Sequence, residues 1–403
     1  MACVLLSLAV AGGELTLRLR GSAVVPGTSI DDDQLTEPCG VAYRRLRRLQ
    51  STTTHDPDTG EPVTVAVNSH GLRGPEVAVP KPAGVYRVLC LGDETILGRH
   101  VDEPHAMPAR LQQLLQAHTR LRVEVLNGGV PGDCPLLAWL RLRHSLLGLQ
   151  PDLIVLHVDM TDVEDDRRRR RDTRLDASSS PIACPHPFLV RSQRERPWWR
   201  NLQLTEWLVR NVGTVGPSAS GGSAMTSPVS PTAWLRENPP DWNLYVEQSL
   251  SPLEQIQQAA DGVGAVVVVA TCPQPWQVSA DASAEPGVRE AAGIAPGLLM
   301  TSRRPFDAIV GFAHARNIPC CDTSTAFREC PEPARLYLRN APVLSRLGHE
   351  LYARVLSQFL ARRLAASQVP GRSPRLELQE SSDGGAASPQ PGGVTISFGD
   401  DRR

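Results

Sequence analysis

The most constraining feature of the sequence is an alternation of short apolar runs and amphipathic stretches between residues 84 and 163. The runs at 86–91, 121–126 and 153–158 are each followed by glycine, asparagine or aspartate, which are turn residues. Between the runs, apolar residues recur at helical spacing. This β-α-β-α-β pattern with short connections predicts a parallel sheet with right-handed crossovers.

The alternation stops after the third run and resumes later. Residues 164–245 contain an arginine run, a Ser/Gly/Pro stretch and several tryptophans, a composition typical of an insertion. The arginine run at 167–171 directly follows acidic residues, so we interpret it as an exposed loop whose charges neutralise one another, with an anion or partner patch as the alternative. Beyond the insertion, helical patterns alternate with predicted strands at 263–270 and 318–321, and a helix closes the domain. We therefore predict an α/β domain over 84–366, a flavodoxin-like three-layer sandwich with a five-stranded parallel sheet and an insertion after the third strand.

The two ends of the chain differ in composition from this domain. Residues 1–20 are apolar but lack a basic leading region, so they predict either a buried helix or the remnant of an export signal or membrane anchor. Residues 21–83 are assigned to an N-terminal extension, and the Ser/Gly/Pro-rich residues 367–403 to a disordered tail. A signal or anchor would place the protein in the periplasm or on a membrane; a buried helix would leave it cytoplasmic.

Composition excludes several classes of function. The 42 basic and 43 acidic residues leave a net charge of -1, and aromatic residues make up 4% of the chain, so a nucleic-acid partner is not expected. None of the nine cysteines has zinc-finger spacing, and the loop at 92–98 matches neither a dinucleotide-binding nor a P-loop fingerprint. We expect no metal and no cofactor.

Polar residues collect where the first three predicted strands end, at 92–95, 127–133 and 159–162. Ligands bind at this carboxyl edge in open α/β sheets. Together with 340–349, and with 68–74 upstream, these blocks resemble the SGNH (GDSL-type) hydrolase family, in a bacterial, envelope-associated branch. The resemblance implies the fold of that family and an esterase-type pocket.

The same resemblance implies that the acting side chains have been replaced. It puts the nucleophilic serine at Glu94, the oxyanion-hole asparagine at Thr161, and the catalytic aspartate and histidine at Asn340 and Val343. The backbone N–H of Gly132 is the one acting group that it retains. Because acyl transfer needs a nucleophile, a base and oxyanion donors together, the sequence predicts a catalytically degenerate protein.

We predict that the pocket still binds a small molecule or an acylated glycan through residues at the three loop ends. The candidate binding residues are Asp93, Glu94, Asn127, Gly129, Gly132, Thr161 and Asp162. Two alternatives remain open. One is an active esterase or O-acyltransferase that recruits Glu94, His349 or residues of the insertion, with Ser345 near His349 as a further candidate; the other is an interaction module that uses the tryptophan-bearing insertion.

The acidic residues in and directly after these loops are interpreted as solvated acids and helix caps, with a divalent-cation site as the alternative. They are Asp93, Asp133, Asp159, Asp162, Glu164, Asp165 and Asp166. His157 is interpreted as a core histidine.

Overall fold

The computed structural model describes residues 34–119, 121–193, 231–238 and 242–366. The apolar segment 1–20, the tail 367–403 and the middle of the insertion lie outside the described residues, so the predictions for them remain predictions. Among the helices within the described ranges, none is both long enough and apolar enough to cross a bilayer.

The N-terminal extension forms two small antiparallel pairs. They are β1 (Thr36–Pro38) with β2 (Arg44–Leu46), and β3 (Gln50–His55) with β4 (Pro62–Val67). In β4, Val63, Val65 and Val67 alternate with exposed residues, the pattern of a strand buried on one face. Val65 and Val67 pack against Leu97 and Val130, so the extension is docked onto the main domain beside the candidate site.

The predicted five-stranded parallel sheet is confirmed. The remaining strands, in chain order, are β5 (Val85–Gly92), β6 (Arg122–Gly129), β7 (Leu153–His157), β8 (Arg174–Leu175), β9 (Pro181–Ala183), β10 (Val266–Thr271) and β11 (Cys320–Asp322). β8 and β9 form a separate antiparallel pair, whereas the other five lie in the order β6-β5-β7-β10-β11, all parallel. This order is the 2-1-3-4-5 arrangement of flavodoxin-like folds.

Helices cover both faces of the sheet, as the three-layer prediction requires. The helices are α1 (Glu94–Leu97), α2 (Met107–His118), α3 (Pro135–His144), α4 (Asp162–Arg170), α5 (Pro187–Gln193), α6 (Trp242–Leu250), α7 (Pro252–Gly262), α8 (Pro286–Ala291), α9 (Arg304–His314), α10 (Ser324–Arg328) and α11 (Arg346–Ala366). Side chains of α2 and α11 share one core with Val88 and Cys90, whereas α3, α7 and α9 share the other with Leu89 and Leu91. Successive side chains of β5 thus enter opposite layers.

The beginning of the insertion is helical, and this corrects one expectation. The arginine run belongs to α4 and not to an exposed loop. Its charges are neutralised along the helix, since Glu164 pairs with Arg167 and Arg168 at 2.8 and 2.9 Å, and Asp166 pairs with Arg170 at 2.5 Å. These are the i,i+3 and i,i+4 spacings at which side chains meet on a helix.

The tryptophans of the insertion do not form one exposed surface. Trp234 is fully buried and packs edge-on against Tyr245, with ring centroids 5.5 Å apart. It therefore anchors the insertion to the core. Trp198, Trp199 and Trp207 lie outside the described residues, so an interaction surface there remains a prediction.

Candidate functional site

The candidate site lies where β5 and β7 end side by side at the carboxyl edge. β6 pairs with one edge of β5 and β7 with the other, so the chain reverses its direction across the sheet at β5. The carboxyl ends of β5 and β7 therefore mark the switch point of the sheet. Gly92, the last residue of β5, has φ +149°, and a Cβ on it would lie 2.8 Å from Cβ of His157. Glycine at this position therefore lets the two strand ends approach each other.

A buried cluster of one imidazole and two carboxylates occupies the switch point. The side chain of His157, the last residue of β7, is 1% exposed. Its Nε2 lies 3.8 Å from Oδ1 of Asp93 and 3.7 Å from Oδ2 of Asp159. Its Nδ1 is hydrogen-bonded to the hydroxyl of Tyr352 at 2.9 Å, whereas Nε2 has no hydrogen-bond partner among the described residues.

Both carboxylates are held in place by neighbouring groups. Asp93 caps α1, because its Oδ1 accepts a hydrogen bond from the N–H of Thr95 at 2.9 Å. Oδ1 of Asp159 accepts hydrogen bonds from both the N–H and the hydroxyl of Thr161, at 2.7 and 2.6 Å. Its Oδ2 accepts a third, from the Gln274 side chain, at 2.6 Å. The cluster is therefore positioned by three different loops.

Burial and mutual charge govern the protonation of this cluster. Burial raises the pKa of Asp93 to about 7, although His157 opposes the shift. Burial opposes the charge on His157, but the carboxylates of Asp159 and Asp93 outweigh it and raise its pKa. The pKa of Asp159 is lowered because His157 and Thr161 outweigh its burial. The pKa of Asp162 is raised well above its ordinary value by burial, with Asp159 adding to the shift.

Most acidic residues in and directly after these loops are not solvated, contrary to expectation, whereas Asp93 is one of the expected helix caps. Five of them are buried, namely Asp133, Asp159, Asp162, Glu164 and Asp166. The expectation that His157 is a core histidine is right about its burial, but one of its two ring nitrogens faces carboxylates. Among the described residues, Asp93, His157 and Asp159 offer three ligand atoms within 4.8 Å of one another, an arrangement able to hold a metal ion.

Glu94 lies beside the buried cluster in a partly exposed group of charged residues, here called the mouth of the site (Arg44, Glu94, Arg99, Asp165 and Arg169). Its carboxylate is already engaged in polar contacts. Oε2 accepts a hydrogen bond from the backbone N–H of Gly132 at 3.2 Å. Oε1 lies 3.7 Å from a guanidinium nitrogen of Arg99, and the side chain is 33% exposed. The group at the expected nucleophile position therefore contacts the one donor that the sequence retains for an oxyanion.

Further charged side chains surround Glu94. Arg44, from the N-terminal extension, has its pKa lowered by burial and by Arg169, while Glu94 acts in the opposite direction. The guanidinium of Arg169 lies 3.6 Å from the ring centroid of Tyr43, a cation–π contact. Asp165, on α4, has its pKa raised to about 6 by burial, with Arg169 opposing and Glu94 adding. The mouth is therefore a mixed-charge surface with several guanidiniums.

The second loop is built for close packing. Asn127 accepts the N–H of Gly129 at 3.0 Å and donates to the carbonyl of Leu97 at 3.2 Å, so its side chain holds the loop. A Cβ on Gly129 would lie 2.2 Å from the backbone nitrogen of Leu97. Buried Asp133 forms a salt bridge with Arg141, and burial raises its pKa to about 6. These contacts fix the loop that presents the N–H of Gly132.

Two of the remaining family positions lie in the C-terminal segment. Asn340 is exposed, and its backbone N–H and side chain donate to Asp58 and Pro57 at the tip of the β3–β4 hairpin. Val343 is half-buried, and its carbonyl accepts a hydrogen bond from the N–H of Leu338 at 3.0 Å. Neither position supplies a side chain that can transfer a proton to Glu94.

The substitutes that the sequence offers are not brought to Glu94. His349 is buried against Gly98, and its pKa is lowered to about 3 by burial and by Arg73 and His100. Its Nδ1 has no hydrogen-bond partner in the described ranges. The Ser345 hydroxyl donates to the carbonyl of Arg335 at 2.6 Å, so it is engaged at the start of α11.

Sequence reasoning missed several residues of this site. Gln274 follows β10, and the rule that ligands bind at carboxyl strand ends would have included it. Arg44, Arg99 and Tyr352 carry no comparable signal, because each reaches the site from an extension, a loop or a helix whose position only the fold defines.

No family model matches the chain, and no curated protein does. Similar solved structures include a lipase/acylhydrolase from Enterococcus faecalis, with 14% identity, 69% of this chain and 96% of that chain covered, and a TM-score of 0.38. A putative lipolytic protein of the G-D-S-L family from Desulfitobacterium hafniense has 12% identity, with 68% and 98% covered and a TM-score of 0.35.

A catalytic mutant of an acetylxylan esterase from Geobacillus stearothermophilus is also similar, with 13% identity, 68% of this chain and 93% of that chain covered, and a TM-score of 0.35.

Proposed function

We propose that this chain is a hydrolase-like protein that binds a ligand at the carboxyl edge of its sheet and does not carry out serine-type acyl transfer. The observation that carries the proposal is the 3.2 Å hydrogen bond from the N–H of Gly132 to the carboxylate of Glu94. In the family that the sequence resembles, this N–H serves a negative charge that develops only during the reaction. Here a permanent carboxylate accepts its hydrogen bond.

Electrostatics supports this reading of Glu94. A tetrahedral oxyanion formed beside Gly132 would lie next to a carboxylate and would compete with it for the same donor. Loss of one oxyanion donor typically lowers the rate by about 10²–10³-fold, before any repulsion between like charges is included. The substitution therefore opposes the transition state as well as removing the serine.

Proton transfer is also unsupported in this geometry. A general base must lie within hydrogen-bond reach of the proton it takes. His157 contacts Tyr352, Asp93 and Asp159, while His349 is buried against Gly98. Among the described residues, the polar contacts of Glu94 are with Gly132 and Arg99. An active esterase that uses Glu94 with His349 is therefore disfavoured.

The mouth of the site favours a ligand that carries negative charge. Arg99 contacts Glu94, and Arg44 and Arg169 act electrostatically on the same region. Guanidinium groups bind carboxylates well, because their planar N–H donors match the two oxygens. Within the expected class of acylated glycans, these residues favour one that contains an acidic sugar.

The esterase assay is the primary test. Purified protein is incubated with short-chain aryl esters, alongside Glu94→Ala and a matched control, Glu103→Ala, whose side chain is exposed. We expect all three to release product at the rate of buffer alone. Turnover clearly above buffer that Glu94→Ala abolishes and Glu103→Ala retains would overturn the proposal.

A binding assay tests the ligand class separately. Acetylated oligosaccharides with and without uronic acid are compared by calorimetry, using wild type and Arg99→Ala. We expect the acidic oligosaccharide to bind more tightly, and Arg99→Ala to reduce that difference. Equal affinity of wild type for the acidic and neutral oligosaccharides would contradict the assignment of an acidic ligand.

A further inference from the structure

The buried cluster at the switch point has a feature that the proposed function does not use. Nε2 of His157 faces the carboxylates of Asp93 and Asp159, yet within the described part of the chain it makes no hydrogen bond. A buried polar atom without a partner costs about 1–3 kcal/mol, so such atoms are rare in folded proteins. An imidazole nitrogen aimed between two carboxylate oxygens is a typical arrangement of metal ligands.

We propose that Nε2 of His157, Oδ1 of Asp93 and Oδ2 of Asp159 bind a divalent first-row transition-metal ion of the Zn²⁺ type. The ligand set fits such an ion, because imidazole nitrogen and carboxylate oxygen are both ligands that zinc accepts. Two carboxylates and one neutral imidazole carry two negative charges, which a divalent cation balances.

The distances are close to those of a metal centre. Zinc ligands at about 2.0–2.2 Å in tetrahedral geometry have donor atoms about 3.4 Å apart. Nε2 lies 3.8 and 3.7 Å from the two carboxylate oxygens, and the three ligand atoms lie within 4.8 Å of one another. Side-chain shifts of less than about 1 Å would bring all three to one ion.

The surrounding hydrogen bonds leave the three ligand atoms available. The Tyr352 hydroxyl lies 2.9 Å from Nδ1 of His157 and can accept a hydrogen bond from Nδ1–H, the tautomer that leaves the lone pair of Nε2 for the ion. Oδ1 of Asp93 accepts one hydrogen bond from Thr95, and Oδ2 of Asp159 accepts one from Gln274. Each carboxylate oxygen has a second lone pair for the ion.

An ion can reach the cluster from the mouth of the site. The side chain of Asp93 is 14% exposed, and the next residue, Glu94, is 33% exposed. Three protein ligands would leave the fourth position of a tetrahedral ion open to water or another ligand. The inference does not depend on the proposed function, because it concerns different atoms and a different ligand.

Metal binding is tested on the full chain after a chelator has removed bound ions. Zn²⁺ is titrated by calorimetry, and Co²⁺ is titrated by visible absorption, which reports the ligand geometry. We expect one ion per chain, at least 10-fold weaker binding for His157→Gln and for Asp159→Asn, and about 10–100-fold weaker binding for Tyr352→Phe. The control His144→Gln, an exposed histidine at the end of α3, should bind as wild type does.

Two results would overturn the metal site: wild type that binds no Zn²⁺, or binding that His157→Gln and Asp159→Asn leave unchanged. If those variants fail to fold by circular dichroism, the Co²⁺ titration of wild type decides, since a spectrum that stays that of the free aqueous ion would show that the protein supplies no ligand. Ester turnover that appears only with Zn²⁺ would contradict the expectation of no ester turnover and leave the metal site standing.

Discussion

The burial of His349 predicts that the protein loses stability in mild acid. The pKa of His349 is lowered to about 3 in the folded state, from an ordinary value of 6.5, by burial and by Arg73 and His100. Between these two values the unfolded chain binds the proton and the folded chain does not. Stability therefore falls as the pH falls from 6.5 toward 3.

The size of the effect follows from the two pKa values. Each pH unit below 6.5 costs about 1.4 kcal/mol until the folded value is reached, so the loss at pH 5 is about 2 kcal/mol. At pH 5 the imidazole of His349 is still neutral in the folded state. The loss of about 2 kcal/mol is therefore set by the pKa of His349 in the unfolded chain. It is a large share of a typical domain stability of about 5–15 kcal/mol.

The assay is urea unfolding at pH 7.5 and pH 5 for wild type, His349→Leu and the exposed control His144→Gln. The leucine variant has no proton to bind, so its loss of unfolding free energy between the two pH values should be smaller than that of wild type by about 2 kcal/mol. The control should behave as wild type. Equal pH dependence of wild type and His349→Leu would show that His349 is not held neutral.

Two further predictions concern the second loop, and both are measured by urea unfolding. Gly129→Ala should lower the free energy of unfolding by about 1–3 kcal/mol or more, because the new Cβ would lie 2.2 Å from the backbone nitrogen of Leu97. The matched control is Gly148→Ala, whose new Cβ would have no atom within 4 Å. Equal losses of stability in the two variants would contradict the close packing at Gly129. Arg141→Met should lower the free energy of unfolding by about 3–5 kcal/mol, because it leaves the buried carboxylate of Asp133 without its partner. If the double variant with Asp133→Asn regains none of this stability, the lost salt bridge is not the cause.

The strand ends show which residues the packing of the fold requires and which it does not. The glycines that the frame requires are retained: Gly92 lets β5 approach His157, and Gly129 lets the second loop touch Leu97. These positions serve packing. Glu94 and Val343 occupy positions at which the resemblance implies reacting groups, and the packed core does not depend on their identity.

Local patterns in the sequence determined the architecture. The runs that became β5, β6 and β7 are bounded by turn residues and separated by helical periodicity, and such signals act over a few residues. The order of strands, the two helical layers and the three loops at one edge follow from short connections and right-handed crossovers. The resemblance of the sequence blocks likewise implied, from residue positions alone, that Glu94, Thr161, Asn340 and Val343 stand where the family has reacting groups.

Tertiary structure alone decided what those loops contain. The strand ends predicted that Asp93 and Asp159 lie at one edge of the sheet, but not that His157 places a ring nitrogen between them. That contact exists only because β5 and β7 pair and bring the three side chains together. Burial of the loop acids and of His349, and the contact of Glu94 with Gly132, likewise depend on atoms far apart in the chain. Protonation and ligand binding depend on the local dielectric and on the distances between charged groups. Neither can be predicted from residues that are neighbours in the sequence.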